Sequence, residues 1–272
     1  MEALAGTPHS VVACDWRGGT PSDRLLRLAR ACDAVFLALH GGDGEGGTLQ
    51  QALEDAGVFH YTGSDARSAA LALDKARAKA CVQRAGVPVA RGEILSSQKR
   101  TLDLPFPMII KPLLGGSSVG LKKIDSLYAF REYEITEPML AEEFLGGREF
   151  TVGILNETAL PVVEIIPKGG TYDYAHKYTA GATLELCPAP LEKEKAERLK
   201  SLALCAFRAL GLRDFARIDF KENDKGEPCF LEANTLPGLT RTSLLPLAAK
   251  TASIPFPLLC EHMANQAAKR KK

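Results

Sequence analysis

The stretch ARIDFKENDKGEPCFLEANTLPGLT, residues 216–240, contains two short strand-like runs on either side of a turn. Side chains alternate between the two faces of a strand, so Arg217 and Asp219 should share one face. Glu232 and Asn234 should share a face of the second run for the same reason. If NDKG forms the turn, antiparallel pairing brings Asp219 and Glu232 opposite or nearly opposite each other. The hairpin is therefore predicted to gather two carboxylates, an amide and a guanidinium on one surface.

Two interpretations of this surface are open. Carboxylates that face each other repel unless a cation lies between them, and an oxygen-only ligand set suits Mg²⁺ better than Zn²⁺. Alternatively, the hairpin face is solvated and Arg217 simply neutralises Glu232. The hairpin alone does not separate these interpretations, so the remainder of the chain has to decide.

Composition and charge exclude several classes of protein. The 272-residue chain is 46% hydrophobic and 25% charged, which is ordinary for a soluble globular protein. A net charge of +1 argues against nucleic-acid binding, and we interpret the C-terminal KRKK as a solvated tail. No apolar run approaches a membrane span, and the N-terminus lacks the pattern of a signal peptide. Seven scattered cysteines are therefore expected to be reduced thiols in a cytoplasmic protein without a membrane partner.

The order of predicted elements indicates a mixed α/β chain. Residues 10–39 predict strand, helix and strand, and a buried strand after a helix is typical of a parallel α/β layer. Residues 66–86, ARSAALALDKARAKACVQRAG, predict one amphipathic helix, which strands of a small sheet follow. A polar segment at 168–185 is rich in Gly, Tyr and Thr, and its length predicts a functional loop.

Two segments could bind a nucleotide. In IIKPLLGGSSVG, residues 109–120, a Gly/Ser turn follows a strand, and its backbone N–H groups and the Ser117 hydroxyl could surround phosphate oxygens. A plain flexible hairpin turn is the simpler alternative. LAEEFLGGREF, residues 140–150, could hold adenine through backbone groups and ribose through a carboxylate. A charged surface turn explains that segment about equally well.

Two further segments could complete such a site. HGGDGEGG, residues 40–47, places His40 at the carboxyl end of a strand, where open α/β sheets bind ligands. Lys177 in the polar segment could close over a phosphate from a lid and exclude water. An incidental His in a connection and a solvated lysine are the alternatives.

Taken together, these segments resemble the D-alanine–D-alanine ligase family of the ATP-grasp superfamily, over about residues 33 to 256. The family-like strings are LHGGDGEGGTLQ, YTGS…LALDKARAK, KPLLGGSSVG, EEFLGGREFTVGIL, PVVEIIPKGGTYDYAHKYTAGAT and ARIDF…FLEANTLPGLTRTSLLP. The resemblance implies an α/β fold with α+β elements, namely the ATP-grasp fold with a truncated N-terminal parallel α/β domain. The implied divisions are an N-terminal domain at 1–66, a central subdomain at 67–145 and a C-terminal subdomain at 146–272.

The resemblance also implies cofactors and site residues. The cofactors would be ATP and Mg²⁺, two ions, with Mn²⁺ as a substitute. ATP contacts are implied for Lys75, Lys111 and Lys177 at the phosphates, Glu142, Glu143, Phe144 and Leu145 at adenine, and Glu149 at ribose. The implied metal ligands are Asp219, Glu232 and Asn234. The implied catalytic groups are Arg217 and the Gly238 backbone at the acyl phosphate, with Ser117 and Tyr178 linking phosphate loop to lid. The implied substrate-binding residues are His40, Glu45, Ser243 and Leu244.

The implied reaction is phosphorylation of one D-alanine carboxylate by ATP, followed by attack of a second D-alanine amine, for peptidoglycan synthesis. Two departures from the family pattern qualify it: no GG-x-S-x-E type loop precedes VVACDW, and Gly115 stands where an acidic residue is usual. Ligation of another amino or hydroxy acid therefore stays open, as does a non-catalytic ATP-binding remnant, although the retained metal ligands argue against a remnant. Strand and helix surface left uncovered at the N-terminal edge predicts either a compensating homodimer contact or poor solubility.

Overall fold

The chain forms two antiparallel sheets flanked by helices in the residues that the computed structural model describes, which are 2–5, 7, 9–39, 41–96, 102–116, 119–167 and 183–271. The helices in these ranges are α1 Glu2–Ala5, α2 Asp23–Ala31, α3 Gly42–Glu45, α4 Thr48–Asp55, α5 Ala66–Leu73, α6 Lys75–Arg84, α7 Leu127–Glu132, α8 Lys193–Ala209, α9 Leu244–Thr251 and α10 Phe256–Ala268. The strands are β1 Gly92–Leu95, β2 Met108–Pro112, β3 Lys122–Ile124, β4 Met139–Glu143, β5 Glu149–Leu155, β6 Thr158–Ala159, β7 Val163–Pro167, β8 Thr183–Leu186, β9 Phe215–Glu222 and β10 Pro228–Asn234.

The first four strands along the chain form one sheet, and the later strands form the other. The smaller sheet has the order β1-β4-β2-β3, and the larger has the order β10-β9-β5-β7-β8, with β6 paired to β5. The predicted subdomain boundary at 145 falls between β4 of the smaller sheet and β5 of the larger one. The domain divisions themselves stay a prediction.

Because side chains alternate along its strands, the larger sheet has one apolar face, and its opposite face carries polar residues. The apolar face packs in one core cluster with residues of α6 and α8, and its members on β5 and β9 are Phe150, Val152, Ile154, Ala216, Ile218 and Phe220. Burial of each such large side chain contributes about 1.5–3 kcal/mol. Since neighbouring residues on a strand point to opposite faces, the intervening residues Glu149, Thr151, Arg217, Asp219 and Lys221 lie on the other face.

The predicted helix at 66–86 is wrong in one respect, because it is two helices. α5 ends at Leu73, and Asp74 takes an extended conformation with φ −76° and ψ 100°. The Asp74 carboxylate accepts a hydrogen bond of 3.0 Å from the backbone N–H of Arg77, which makes it the N-cap of α6. Aspartate competes with the helix for backbone donors and so favours caps over helix interiors. The break places Lys75 at the first turn of α6.

The predicted strand within residues 10–16 is also wrong, since this segment has no strand in the structure. Val11 and Val12 are exposed, at 41% and 65%, so they gain little from burial on a sheet. The expected parallel layer is reduced, in the described residues, to one parallel bridge between Val35 and Tyr61. Extended chain needs a partner for its backbone hydrogen bonds, and none of the described strands pairs with this segment.

Arg270 in the C-terminal basic tail is docked rather than solvated, which corrects the sequence interpretation for this residue, whereas Lys269 and Lys271 are exposed. Arg270 donates to both carboxylate oxygens of Asp214, at 2.8 and 2.7 Å, and to the Tyr61 carbonyl at 2.5 Å. Lys271 lies 2.7 Å from a carboxylate oxygen of Asp33. A planar guanidinium can bind a carboxylate through two parallel hydrogen bonds, and the tail therefore ties the C-terminus to the N-terminal segment.

We expect Arg270→Ala to lower the free energy of unfolding by about 2 kcal/mol, because the nearly buried Asp214 carboxylate loses its partner. Urea unfolding of the purified chain measures this difference. The adjacent Lys269→Ala is the matched control, since the exposed Lys269 side chain bonds only Gln266 among the side-chain hydrogen bonds of the described residues. Equal unfolding midpoints for the two variants would contradict the docking role.

All seven cysteines are free thiols, as the sequence predicts. Among the helices in the described ranges, none has the length and apolar character needed to cross a membrane.

Candidate active site

A cleft lies where the two sheets meet, and residues of both sheets line it. The residues predicted from sequence that line this cleft are Lys75, Lys111, Glu142, Glu143, Phe144, Leu145, Glu149, Asp219 and Glu232. A smaller adjoining pocket shares Lys75 and Glu232 with the cleft and adds Glu45 and Asn234. Residues from both halves of the sequence therefore surround one continuous site.

The remaining predicted residues lie elsewhere or outside the description. His40, Ser117, Tyr178 and Lys177 lie outside the described residues. Leu244 is buried in an apolar core cluster, and Ser243 is the N-cap residue of α9. Ser243 Oγ accepts a 3.0 Å hydrogen bond from the Thr240 backbone and would contact a Cβ at Gly238 at 2.7 Å. Arg217, Ser243, Leu244 and Gly238 line neither of these two pockets, and their roles stay predictions.

A β-bulge decides which face of the hairpin carries Glu232. The strands pair without interruption from the turn as far as Phe230, and that register would set Glu232 opposite Ile218, on the apolar face. The bulge between Phe230 and Glu232 adds one residue, Leu231, so that Glu232 lies opposite Asp219 instead. The predicted opposition of the two carboxylates is confirmed, and the bulge is its cause.

Asp219 is the most heavily bonded carboxylate on this face. Arg217 donates to both of its oxygens, at 2.9 and 3.0 Å, and Thr151 Oγ1 donates at 2.6 Å. Asn234, which pairs with Arg217 across the hairpin, donates at 3.0 Å. The solvated-face interpretation is wrong on two counts, because Asp219 is only 6% exposed and the direct ion pair of Arg217 is with Asp219.

Arg217 keeps its charge in this crowded surrounding. Burial works against the charged guanidinium, but the Asp219 carboxylate, and after it Glu232 and Glu45, raise the pKa of Arg217 above its ordinary value. A permanent cation therefore stands beside the paired carboxylates. Such a group can stabilise negative charge that develops nearby during a reaction.

Lys75 joins the start of α6 to the glycine-rich turn after β2. Its ammonium donates to the Gly115 carbonyl at 2.5 Å, and Gly115 has a φ of 104°, which favours glycine. Burial lowers the pKa of Lys75, and the nearby Glu232 carboxylate is the strongest opposing influence. Lys75 lies on the boundary between the cleft and the smaller pocket, since it lines both.

Glu142 forms the centre of a buried charge cluster. Its carboxylate lies 2.5 Å from Lys111 Nζ and 2.6 Å from Lys79 Nζ. Burial would raise the pKa of Glu142, but the two ammonium groups together hold it below its ordinary value. The sequence prediction missed Lys79, although Lys75 and Lys79 are four residues apart and thus share one face of α6. That spacing was the available signal.

The residues predicted to contact adenine and ribose have defined partners as well. Glu149 accepts a 3.0 Å hydrogen bond from Lys221, which also lines the cleft and was not predicted. The alternation in RIDFK was the signal for Lys221, two residues after Asp219. The Phe144 ring lies under the Lys123 ammonium, 4.8 Å from its centroid, and Leu145 is buried. This end of the cleft is apolar with a few polar groups, as nucleotide pockets generally are.

Glu45 is the acidic residue of the smaller pocket. It is 8% exposed, its carboxylate accepts a 3.2 Å hydrogen bond from the Gly41 N–H, and its carbonyl accepts from Thr235. Gln50 holds the neighbouring Gly44 carbonyl at 2.9 Å, which steadies the short helix α3. The pocket thus offers a carboxylate on one side and the Lys75 ammonium on the other.

Comparison with known proteins assigns this architecture to a family. A family model described as the D-Ala D-Ala ligase C-terminus matches residues 79–265. The D-alanine–D-alanine ligase of Aquifex aeolicus is 44% identical over 94% of this chain and 88% of its own length. That of Methylacidiphilum infernorum is 41% identical over 87% of this chain and 79% of its own.

Solved structures agree with the sequence relatives. The D-alanine–D-alanine ligase of Bacillus anthracis complexed with ATP has a TM-score of 0.76 at 30% identity, covering 91% of this chain and 83% of its own. The VanG D-Ala:D-Ser ligase of Enterococcus faecalis has a TM-score of 0.75 at 31% identity, covering 86% and 73%. The predicted mixed α/β ATP-grasp fold is confirmed. The chain belongs to the D-alanine–D-alanine ligase family.

Proposed function

We propose that this chain is an ATP-dependent ligase that joins two D-alanines into D-Ala-D-Ala, through an acyl phosphate, for peptidoglycan synthesis. The observation that carries the proposal is that one cleft is lined both by the lysines Lys75, Lys111 and Lys221 and by the opposed carboxylates of Asp219 and Glu232. The names of the relatives and the ATP complex of the Bacillus anthracis enzyme support it. A bound triphosphate needs such positive charge, and its reacting end needs an acidic face that can hold a divalent cation.

The acidic face fits Mg²⁺ in its donor chemistry. Asp219 and Glu232 are directly opposite in register, and Asn234 is two residues from Glu232 on the same strand. Mg²⁺ is usually held by one or two carboxylates together with substrate phosphates, so two acidic residues and an amide are sufficient. We propose that these three residues hold two Mg²⁺ ions. When bound, the ions would neutralise charge on the triphosphate.

The residues of the chain would position the substrates around this face. Lys75 and Lys111 would bind phosphate oxygens, and the segment from Glu142 to Leu145 would hold adenine, with Glu149 at ribose. Glu45, across the smaller pocket, would accept hydrogen bonds from the ammonium group of the first D-alanine. The carboxylate of this first D-alanine would then point towards the boundary that the smaller pocket shares with the cleft, where Lys75 and Glu232 lie.

The reaction would proceed in two steps. An oxygen of the first D-alanine carboxylate attacks the γ-phosphorus of ATP, the bond to the β-phosphate oxygen breaks, and ADP leaves. The neutral amine of the second D-alanine then attacks the acyl carbon, the bond between the acyl carbon and the phosphate oxygen breaks, and the amine proton leaves with the departing phosphate as hydrogen phosphate. Arg217, with its permanent charge, would stabilise the negative oxygen of the tetrahedral intermediate. Ordering both substrates in one cleft supplies much of the rate enhancement.

The test is direct product analysis. Purified chain is incubated with ATP, Mg²⁺ and D-alanine, phosphate release is followed, and mass spectrometry identifies the product. We expect D-alanine-dependent phosphate release and a dipeptide in equal amounts. ATP binding without D-alanine-dependent turnover would overturn the proposal and favour a nucleotide-binding remnant.

A second candidate is a ligase that joins D-alanine to a different amino or hydroxy acid. The observation that favours it is the similarity to a D-Ala:D-Ser ligase at 31% identity. Incubation with an equimolar mixture of D-alanine, D-serine and D-lactate separates the candidates, because the products differ in mass. A predominance of the mixed product would replace D-Ala-D-Ala as the proposed product.

We also propose that the enzyme is located in the cytoplasm and that it forms a homodimer. The free thiols are consistent with a reducing compartment. Sedimentation equilibrium of the purified chain tests the dimer, and a monomer at micromolar concentration would contradict it.

A further inference from the structure

Lys79 is a buried lysine that lies behind the nucleotide cleft rather than in its wall. It is 6% exposed and is not among the residues that line the cleft. Its ammonium lies 2.6 Å from Glu142 Oε1 and donates a 2.9 Å hydrogen bond to the carbonyl of Phe230. Burying a charged group is costly even when it is paired and hydrogen-bonded, so the position of Lys79 requires an explanation.

Glu142 has more positive charge around it than it needs for neutrality. Lys111 lies 2.5 Å from the other carboxylate oxygen, so two ammonium groups share one carboxylate. Of these two lysines, Lys111 lines the cleft and Lys79 does not, so Lys111 is the one that can leave Glu142 and bind a ligand there. If Lys79 were absent, that exchange would leave an unpaired carboxylate in the protein interior, which is strongly unfavourable.

The second bond of Lys79 explains why this lysine stays in place. Phe230 is the residue after which the β10 bulge begins, and its carbonyl is held by Lys79 alone among side chains whose hydrogen bonds to it are described. Lys79 therefore contacts β4 of the smaller sheet through Glu142 and β10 of the larger sheet through Phe230. Turning away would cost it both bonds, whereas Lys111 would lose one.

We propose that Lys79 is a positioning residue, the permanent counterion of Glu142, which frees Lys111 to turn to the phosphates of ATP. The inference rests on the proposed use of ATP and extends it to a residue that touches no substrate. In the absence of nucleotide both lysines pair with Glu142. With ATP bound, Lys79 alone neutralises Glu142.

The test is calorimetric titration of the full chain with ATP and Mg²⁺, without D-alanine. In Lys79→Met, Glu142 retains Lys111 as its sole counterion and competes with ATP for it, so we expect ATP to bind about tenfold more weakly. Adding Glu142→Gln in the same chain removes that competition and should restore at least part of the affinity. Lys200→Met, at an exposed ion pair with Glu197, is the surface control.

The outcomes separate this role from a merely structural one. Lower thermal stability with unchanged ATP affinity in Lys79→Met would overturn the proposal. If Lys79→Met does not fold, Glu142→Gln is compared with the double variant: the proposal expects equal ATP affinity within about twofold, and a tenfold difference overturns it. Failure of the unsubstituted chain to bind ATP would overturn the proposed function as well, whereas normal binding with no Lys79 effect overturns this inference alone.

Discussion

Replacing Asp219 with Asn should lower D-alanine-dependent phosphate release by about 10³-fold or more, because the paired-carboxylate face loses half of its negative charge. Asp219 faces Glu232 directly, so the substitution leaves Glu232 as the one carboxylate of this opposed pair. Asparagine keeps the size of the side chain. However, it presents an N–H donor to Arg217, so metal binding and local hydrogen bonding should both suffer.

Steady-state rates at saturating ATP and varied Mg²⁺ measure the effect. The matched control is Asp224→Asn, an exposed aspartate in the turn of the same hairpin, which should retain the full rate. The substitution at Asp219 also leaves Arg217 without a full counter-charge, at a cost of about 2–4 kcal/mol, so assays belong well below the unfolding temperature. A rate within tenfold of that of the unsubstituted chain would refute the assignment of Asp219 to the metal.

Replacing Arg217 with Met should lower the turnover rate by about 10²–10³-fold and at the same time tighten Mg²⁺ binding. The guanidinium is the cation that both oxygens of Asp219 contact, at 2.9 and 3.0 Å. Removing it frees the carboxylate for the metal, yet it also removes the charge that should stabilise the tetrahedral intermediate. The two effects have opposite signs, which a general loss of structure would not produce.

The turnover rate and the Mg²⁺ concentration for half-maximal ATP binding are measured in parallel. Arg148→Met is the control, since Arg148 makes a similar two-bond ion pair with Glu164 on the apolar-face side of the same sheet. It should lower stability without changing the Mg²⁺ response. Weaker Mg²⁺ binding in Arg217→Met would show that Arg217 organises the metal site rather than competing for it.

Several elements and contacts could be predicted from local sequence. The hairpin turn and the shared face of Arg217 and Asp219 follow from turn chemistry and strand alternation, which act over a few residues. The break at Asp74 was also encoded locally, but the amphipathic pattern on both sides of it concealed it. The strand predicted at Val11 and Val12 is absent because a strand forms only when a neighbouring strand accepts its backbone hydrogen bonds. Local apolar character does not supply that neighbour.

The sequence by itself determined the family of this protein, the alternation that separates an apolar from a polar face, and the residue types available to the cleft. The sequence predicted that Glu232 and Asp219 lie opposite or nearly opposite each other, but only the tertiary structure revealed the bulge at Leu231 that makes them directly opposite. It alone revealed Lys79, whose ammonium bonds a carbonyl 151 residues further along the chain. The physical reason is range: backbone geometry and capping act between near neighbours, whereas a buried charge is positioned by whichever distant groups the packed sheets bring to it.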